Sequence, residues 1–281
     1  MKIVPLGGET LGVRSMATFV ETKDACILID PGLSVVSIIH SFPPTPFELR
    51  ALFNVKESIR KASKRAHVVI ITHYHNDHFS MDSSLYKGKE VFIKDPENFI
   101  SNNQKRRARE LLKSISSIAN IHYATGEFRF GNTEIIFSPL LTHGISKKMG
   151  GVVSILIKED VKFLYSSDIQ GFPEENQIEF LVDVSPDVVF FDGPTEETLP
   201  LSVVNLSRII HKFKETLWVM EHHPFRFLDW KERFYPVVSI FEENGIILKT
   251  FASYLSLKEM LFEAERGLFY EGIKEFNRKI W

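Results

Sequence analysis

Residues 72–79 read Thr-His-Tyr-His-Asn-Asp-His-Phe, and this octet limits what the chain can be more than any other segment. It directly follows Val68-Val69-Ile70-Ile71, a β-branched apolar run that is typical of a fully buried strand. Three imidazoles and a carboxylate at the end of such a strand supply the ligands that Zn²⁺ and similar ions prefer. The segment therefore predicts a metal site where a buried strand gives way to a loop.

Further histidines and acids follow other apolar runs in the same way. Each of them stands where a predicted strand ends, and the set comprises Asp30, His143, Asp168, His222 and His223. The octet and these residues occur in order between residues 30 and 223, with Asp30 before the octet and the others after it. We interpret them as parts of one site rather than as separate surface residues.

The pattern His-x-His-x-Asp-His, with Asp30 before it and the other residues after it in order, resembles the signature of the metallo-β-lactamase superfamily. The resemblance implies an α/β fold of the four-layer αβ/βα sandwich type, whereas hydrophobic periodicity alone indicates only a mixed α/β chain. We expect a single domain over residues 1–281, which ends in an amphipathic helix at about residues 256–279.

The resemblance also implies a ligand set for two metal ions. The first ion would be held by His73, His75 and His143, and Asp168 would bridge the two ions. The second ion would be held by Asp77, His78 and either His222 or His223. Because neighbours on a strand point to opposite faces, we expect only one of that pair to bind, with His222 favoured as the first after the strand. Asp30 would support the ligands from behind as a hydrogen-bond partner.

Abundant imidazole favours zinc, with Mn²⁺ or Fe as alternatives, and the resemblance implies two ions per chain. Two ions about 3.5–4 Å apart lower the pKa of a shared water, and the bridging hydroxide attacks a phosphorus or carbonyl centre. Asp77 would double as the catalytic proton acceptor. The chain is thus predicted to be a metal-dependent hydrolase.

A phosphodiester or phosphate ester, in a small molecule or a nucleic acid, is the leading substrate class. Four cations in loops beside the ligands would hold such an anion, namely Arg14, Lys147, Lys148 and Arg226. A thioester or lactone hydrolase of the glyoxalase II or sugar-lactonase type is the first alternative. A non-catalytic nucleic-acid-binding scaffold is the second.

Two other segments bear on function. A basic run at residues 105–109, within a helix predicted over 103–118, is either a solvated helix face or a contact for a polyanion. Local features such as Gly12-Val13-Arg14-Ser15-Met16 and Glu221-His222-His223 resemble a largely archaeal branch of the superfamily. Glu221 departs from the pattern, since we expect Asp before the His pair.

Composition limits the partners and the cellular compartment that we expect for the protein. The formal net charge of −2 gives no global basic field for nucleic acid. A single cysteine, Cys26, forbids a disulfide within the chain and fits a reducing compartment. The first residues lack the apolar core of a signal peptide, and no stretch approaches the roughly 20 apolar residues of a membrane span. We therefore expect a cytoplasmic protein off the membrane, whose oligomeric state the sequence leaves open.

Overall fold

Two six-stranded sheets face each other, and helices cover the outer face of each sheet. The structure is a computed structural model that describes residues 1–272. Its four layers confirm the predicted αβ/βα sandwich.

The first sheet takes its strands in chain order, with β1 (Lys2–Pro5), β2 (Thr18–Glu21), β3 (Cys26–Ile29), β4 (Val68–Ile71), β5 (Glu90–Ile93) and β6 (Asn120–Tyr123). The pairs β1–β2 and β2–β3 are antiparallel, and the strands from β3 to β6 run parallel. Parallel neighbours need crossover connections, and two of these contain a helix. Helix α1 (Pro46–Arg65) connects β3 to β4, and α2 (Asn102–Ile115) connects β5 to β6.

The second half of the chain builds the other sheet and a small ribbon. Its strands are β7 (Glu127–Phe130), β8 (Thr133–Phe137), β9 (Leu141–Thr142), β10 (Gly151–Val152), β11 (Ile155–Lys158), β12 (Lys162–Tyr165), β13 (Val188–Phe191) and β14 (Leu217–Met220). The sheet order is β14-β13-β12-β11-β8-β7, and β9 pairs with β10 apart from it. The strands β12, β13 and β14 are parallel, so their carboxyl ends meet at one edge.

Six further helices belong to this half, α3 (Glu175–Val184), α4 (Leu199–Ile209), α5 (Trp230–Arg233), α6 (Tyr235–Glu243), α7 (Phe251–Tyr254) and α8 (Arg266–Tyr270). Single turns of 3₁₀ helix lie at Ser83–Leu85, Lys147–Met149, Ile210–Phe213 and His223–Arg226. Within residues 1–272, no helix combines the length and the apolar composition that crossing a bilayer requires.

The burial of β4 explains the continuous apolar run before the octet. Val68 and Ile70 point into the core between the two sheets, and Val69 and Ile71 point into the core beneath α1 and α2. Side chains alternate across a strand, so a strand with a core on both faces must be apolar at every position. This double burial fixes the strand whose end carries the candidate ligands.

The prediction of a helix over residues 256–279 is wrong for its first part. Residues 256–265 form turns and an extended stretch, and the helix α8 covers only Arg266–Tyr270. Met260 instead pairs with the glycine-rich loop of residues 7–15, donating its backbone N–H to Thr10 O over 2.9 Å. Phe262 and Phe269 bury their rings against Phe47 of α1, so tertiary contacts rather than helical periodicity place these apolar residues. Residues 273–279 of the prediction lie outside the described residues.

Candidate metal centre

The candidate ligands lie together at one edge of the two sheets. Asp30 follows β3, the octet follows β4, Asp168 follows β12, and the pair His222-His223 follows β14. The carboxyl ends of parallel strands meet at the same edge, which is where α/β sheets form their sites. His143 comes from the loop after β9.

One group of side chains has the composition of a metal site. The ligand atoms of His73, His75, His143 and Asp168 all lie within 4.8 Å of one another. Asp168 Oδ2 is 2.8 Å from His143 Nε2, 3.7 Å from His73 Nε2 and 4.0 Å from His75 Nδ1. Three imidazoles and one carboxylate that converge on one point suit Zn²⁺.

A second group adjoins the first through the same aspartate. Asp77, His78 and His222 form it, with His222 Nε2 3.8 Å from Asp77 Oδ2. Asp168 Oδ2 lies 3.9 Å from both His78 Nε2 and His222 Nε2. Asp168 therefore stands between the two groups, in the place that a bridging carboxylate needs.

The His78 ring provides an independent sign that the second group fits a cation. Its Nδ1 lies 2.8 Å from Asp30 Oδ2, and its buried Nε2 has no hydrogen-bond partner among residues 1–272. Burial lowers the pKa of His78, but the hydrogen bond to Asp30 and the charges of Asp30, Asp77 and Asp168 together outweigh burial and raise it to about 9. Without a metal, Nε2 therefore carries a proton that finds no acceptor among residues 1–272, whereas a metal ion would displace that proton and use the lone pair.

The protonation of other rings also favours ligation. Burial, helped by neighbouring imidazoles, holds the pKa of His73 well below its usual value. Burial and the charge of Arg226 do the same for His222. Burial would raise the pKa of Asp168, but His143 and His223 hold it well below its usual range. Neutral imidazoles and an ionised carboxylate are the forms that bind metals.

Asp30 lies behind the candidate ligands, where the sequence predicted a supporting hydrogen-bond partner. It accepts hydrogen bonds from Thr72 N (2.8 Å), Thr72 Oγ1 (2.6 Å) and Tyr165 OH (3.0 Å), besides its contact with His78. Thr72 Oγ1 is also 3.2 Å from His73 Nδ1. Asp30 thus orients one histidine of each group, which is the usual way that a partner behind the ligands tunes a metal.

The structure places both His222 and His223 beside the cluster, whereas the sequence predicted that only one of them binds the second ion. Both rings contact the cluster, because His222 has a backbone φ of +77° that turns the chain after β14. His222 joins Asp77 and His78, while His223 Nε2 is 2.8 Å from Asp168 Oδ1 and 3.5 Å from Asp192 Oδ2. Strand alternation no longer applies once the strand has ended. His222 thus belongs to the group with Asp77 and His78, and it also forms a group with Asp168 and His223.

A cleft of about 420 Å³ opens over the cluster. Arg14 and Arg226 line it as expected, but Lys147 and Lys148 do not. The two lysines lie on the 3₁₀ turn Lys147–Met149 with their side chains exposed, and Met149 of the same turn faces the cleft. The structure thus places these lysines outside the lining of the cleft, and their role in holding substrate stays a prediction.

Two carboxylates near the site were not predicted. Buried Glu9 lies 2.9 Å from His222 Nδ1 and accepts a hydrogen bond from Arg226 Nε over 3.0 Å. Buried Asp192 lies against His223, and burial raises its pKa to about 6. Asp192 could have been found from its place at the carboxyl end of β13. Glu9 comes from the glycine-rich loop, and no local pattern marks it.

Glu221 also has a structural explanation. Its carboxylate accepts hydrogen bonds from Thr10 N (2.6 Å), Thr10 Oγ1 (2.8 Å) and Phe251 N (2.9 Å). These contacts tie the glycine-rich loop and the start of α7 to the end of β14. Glu221 thus stabilises the backbone next to the His pair, and it belongs to neither candidate ligand group.

Gly32 lies so close to the octet that a side chain has no room. A Cβ at this position would lie 2.3 Å from Phe79 N and 2.4 Å from His78 N. We expect Gly32→Ala to displace the His78 backbone, to lower the free energy of unfolding by about 1–3 kcal/mol, and to weaken metal binding. Urea unfolding and elemental mass spectrometry measure the two effects. Gly267→Ala is the control, since its Cβ would meet nothing closer than 4.0 Å.

Comparison with known proteins identifies relatives of this arrangement. Residues 11–80, which contain the octet, match the model of the metallo-beta-lactamase superfamily. A UPF0282 protein of Sulfurisphaera tokodaii is 38% identical over 283 residues, covering 95% of this chain and 92% of that protein.

Two solved structures share the fold at low sequence identity. Isothiocyanate hydrolase from Delia radicum gut bacteria is 14% identical, with a TM-score of 0.53 over 84% of this chain and 94% of that chain. Zn²⁺-bound PqqB from Methylobacterium extorquens is 12% identical, with a TM-score of 0.52 over 92% of this chain and 99% of that chain. Both similarities support the four-layer architecture.

Proposed function

Because the chain belongs to the UPF0282 family and to the metallo-β-lactamase superfamily, we propose that it binds two zinc ions and hydrolyses phosphodiesters or phosphate esters. As a member of that superfamily it is a metal-dependent hydrolase. The observation that carries the proposal is the pair of adjoining donor groups, which share Asp168 and in which the buried His78 Nε2 has no hydrogen-bond partner among the described residues.

Each donor group would hold one ion. His73, His75 and His143 would hold the first ion, Asp77, His78 and His222 would hold the second, and Asp168 would contact both. When bound, zinc supplies Lewis-acid chemistry, which lowers the pKa of water and stabilises negative charge on oxygen. The zinc-bound relative PqqB supports the choice of metal.

Asp77 is the residue that we assign to proton transfer. Burial would raise the pKa of Asp77, but His78, His222 and Arg226 outweigh burial and lower it. The carboxylate is therefore ionised at neutral pH, and it lines the cleft where substrate and water enter. An ionised carboxylate at this position can accept a proton from the attacking water.

The arginines of the cleft support an anionic substrate. Arg14 and Arg226 both line the cleft, and the guanidinium N–H groups that do not contact Glu263 or Glu9 can donate to an anion. The cleft volume of about 420 Å³ suits a small molecule or one nucleotide unit of a longer chain. We also propose that the enzyme works in the cytoplasm, where Cys26 would remain reduced.

The test compares zinc-loaded protein on bis-p-nitrophenyl phosphate and on a panel of acyl thioesters and lactones. We expect turnover of the phosphodiester that chelation abolishes and added zinc restores. Turnover of thioesters or lactones without phosphodiester turnover would identify the glyoxalase II or sugar-lactonase class instead. Nucleic-acid binding that chelators leave unchanged, without any turnover, would identify a binding scaffold.

A further inference from the structure

We propose that Arg107 determines substrate specificity by binding a phosphoryl oxygen of the substrate at the rim of the cleft. This inference rests on the proposed phosphoester hydrolysis and adds a residue that the ligand groups do not include. Arg107 lies on α2 and lines the cleft together with His75, Asp77 and His143.

The basic run on α2 divides into two kinds of cation. Three of its members form ion pairs with Glu97 or Glu110 at distances of 2.5–3.2 Å, and these are Lys105, Arg106 and Arg109. Arg107 is the exception, since no carboxylate of residues 1–272 lies within 4.0 Å of its guanidinium. The run is thus a solvated helix face at three positions, and at Arg107 it faces the cleft.

Arg107 is held in place by the loop that carries the candidate ligands. Its Nη1 donates to Tyr74 O over 3.1 Å, and Tyr74 lies between the candidate ligands His73 and His75. One turn earlier, buried Gln104 accepts the Tyr74 N–H over 3.0 Å and donates to Met149 O over 2.9 Å. These bonds fix α2 against the octet, and the Tyr74 bond uses one of the five N–H donors of the guanidinium.

The other arginines of the cleft already have acidic partners. Arg14 Nε donates to Glu263 Oε2 over 2.7 Å, and Arg226 Nε donates to Glu9 Oε1 over 3.0 Å. Their charges are largely balanced before any substrate enters. Arg107 is therefore the cleft arginine whose charge is free for an anion, and its planar fork matches the geometry of phosphoryl oxygens.

The test compares Arg107→Met with Arg106→Met in zinc-loaded protein. Arg106 is the matched control, because it lies next in sequence, pairs with Glu110 on the surface and is absent from the cleft. We measure kcat and KM for bis-p-nitrophenyl phosphate, the Kd of inorganic phosphate by calorimetry, and metal content. For Arg107→Met we expect KM and Kd to rise about tenfold to a hundredfold, with kcat and metal content nearly unchanged.

Arg107→Lys, which keeps the charge but not the fork, should restore part of the loss. A fall in metal content or in kcat alone would overturn the proposal, because it would mean that Arg107 only supports the ligand loop. Equal values for the Arg107 and Arg106 variants would also overturn it. If no phosphoester is hydrolysed and phosphate binding still weakens in Arg107→Met, the proposed function fails and the assignment of Arg107 as an anion-binding residue stands.

Discussion

Asp168→Ala is expected to lose most of the bound metal and to hydrolyse substrate at least about a hundredfold more slowly than the parent protein. Asp168 Oδ2 lies within 4.0 Å of imidazole nitrogens from both donor groups, so its removal disturbs both ions at once. Even partners behind the ligands change metal affinity or activity by about 10–100-fold, and a shared ligand should exceed that effect. Elemental mass spectrometry and the rate on bis-p-nitrophenyl phosphate measure the two losses.

The loss also has an electrostatic reason. His143 Nε2 and His223 Nε2 each lie 2.8 Å from an oxygen of Asp168, and these rings would lose their shared carboxylate. Asp183→Ala is the control, because Asp183 is an exposed aspartate on the helix α3. If Asp168→Ala bound as much metal as the parent protein, the assignment of Asp168 as the bridging ligand would be wrong.

Arg266→Met is expected to lower the free energy of unfolding by about 3–5 kcal/mol, the cost of leaving a buried partner charge unpaired. Arg266 donates from Nη2 to Glu48 Oε1 over 2.6 Å and from Nε to Glu48 Oε2 over 3.1 Å. The exposed fractions are 0% for Arg266 and 1% for Glu48. Glu48 also accepts the Thr45 N–H over 2.8 Å, so the pair joins α8 to the capped start of α1.

Urea unfolding of the metal-loaded protein measures this effect. Arg208→Met is the matched control, since Arg208 pairs with Glu175 on the surface and such pairs contribute only about 0–1 kcal/mol. The double variant Glu48→Met/Arg266→Met should recover much of the lost stability, because it leaves no lone buried charge. Equal destabilisation by Arg208→Met and Arg266→Met would contradict the role assigned to the buried pair.

The sequence predicted the site well where candidate ligands directly follow buried strands. The double burial of β4 requires an apolar run, and the residues that follow such a run must emerge at the sheet edge. Local pattern was therefore enough to predict a mixed α/β chain and to select side chains that the structure brings together, from Asp30 to His222, whereas the four-layer fold was predicted from the resemblance to the superfamily. Their roles as ligands stay predictions until metal is measured.

Pattern failed where side-chain direction depends on one backbone angle or on a distant contact. The φ of +77° at His222 brings both His222 and His223 to the cluster, and alternation along a strand could not anticipate it. Lys147 lies on an exposed 3₁₀ turn outside the lining of the cleft, which the sequence pattern did not indicate. Glu9 reaches His222 across more than two hundred positions, as the separation of 213 in sequence shows, and only the folded chain reveals that contact.

The metal content of freshly purified protein tests the central claim most directly. Elemental mass spectrometry should find close to two zinc ions per chain, one for each donor group around Asp168. Protein that contains no metal, and that takes up none on titration with zinc, would contradict the account and would make the histidine cluster a structural remnant.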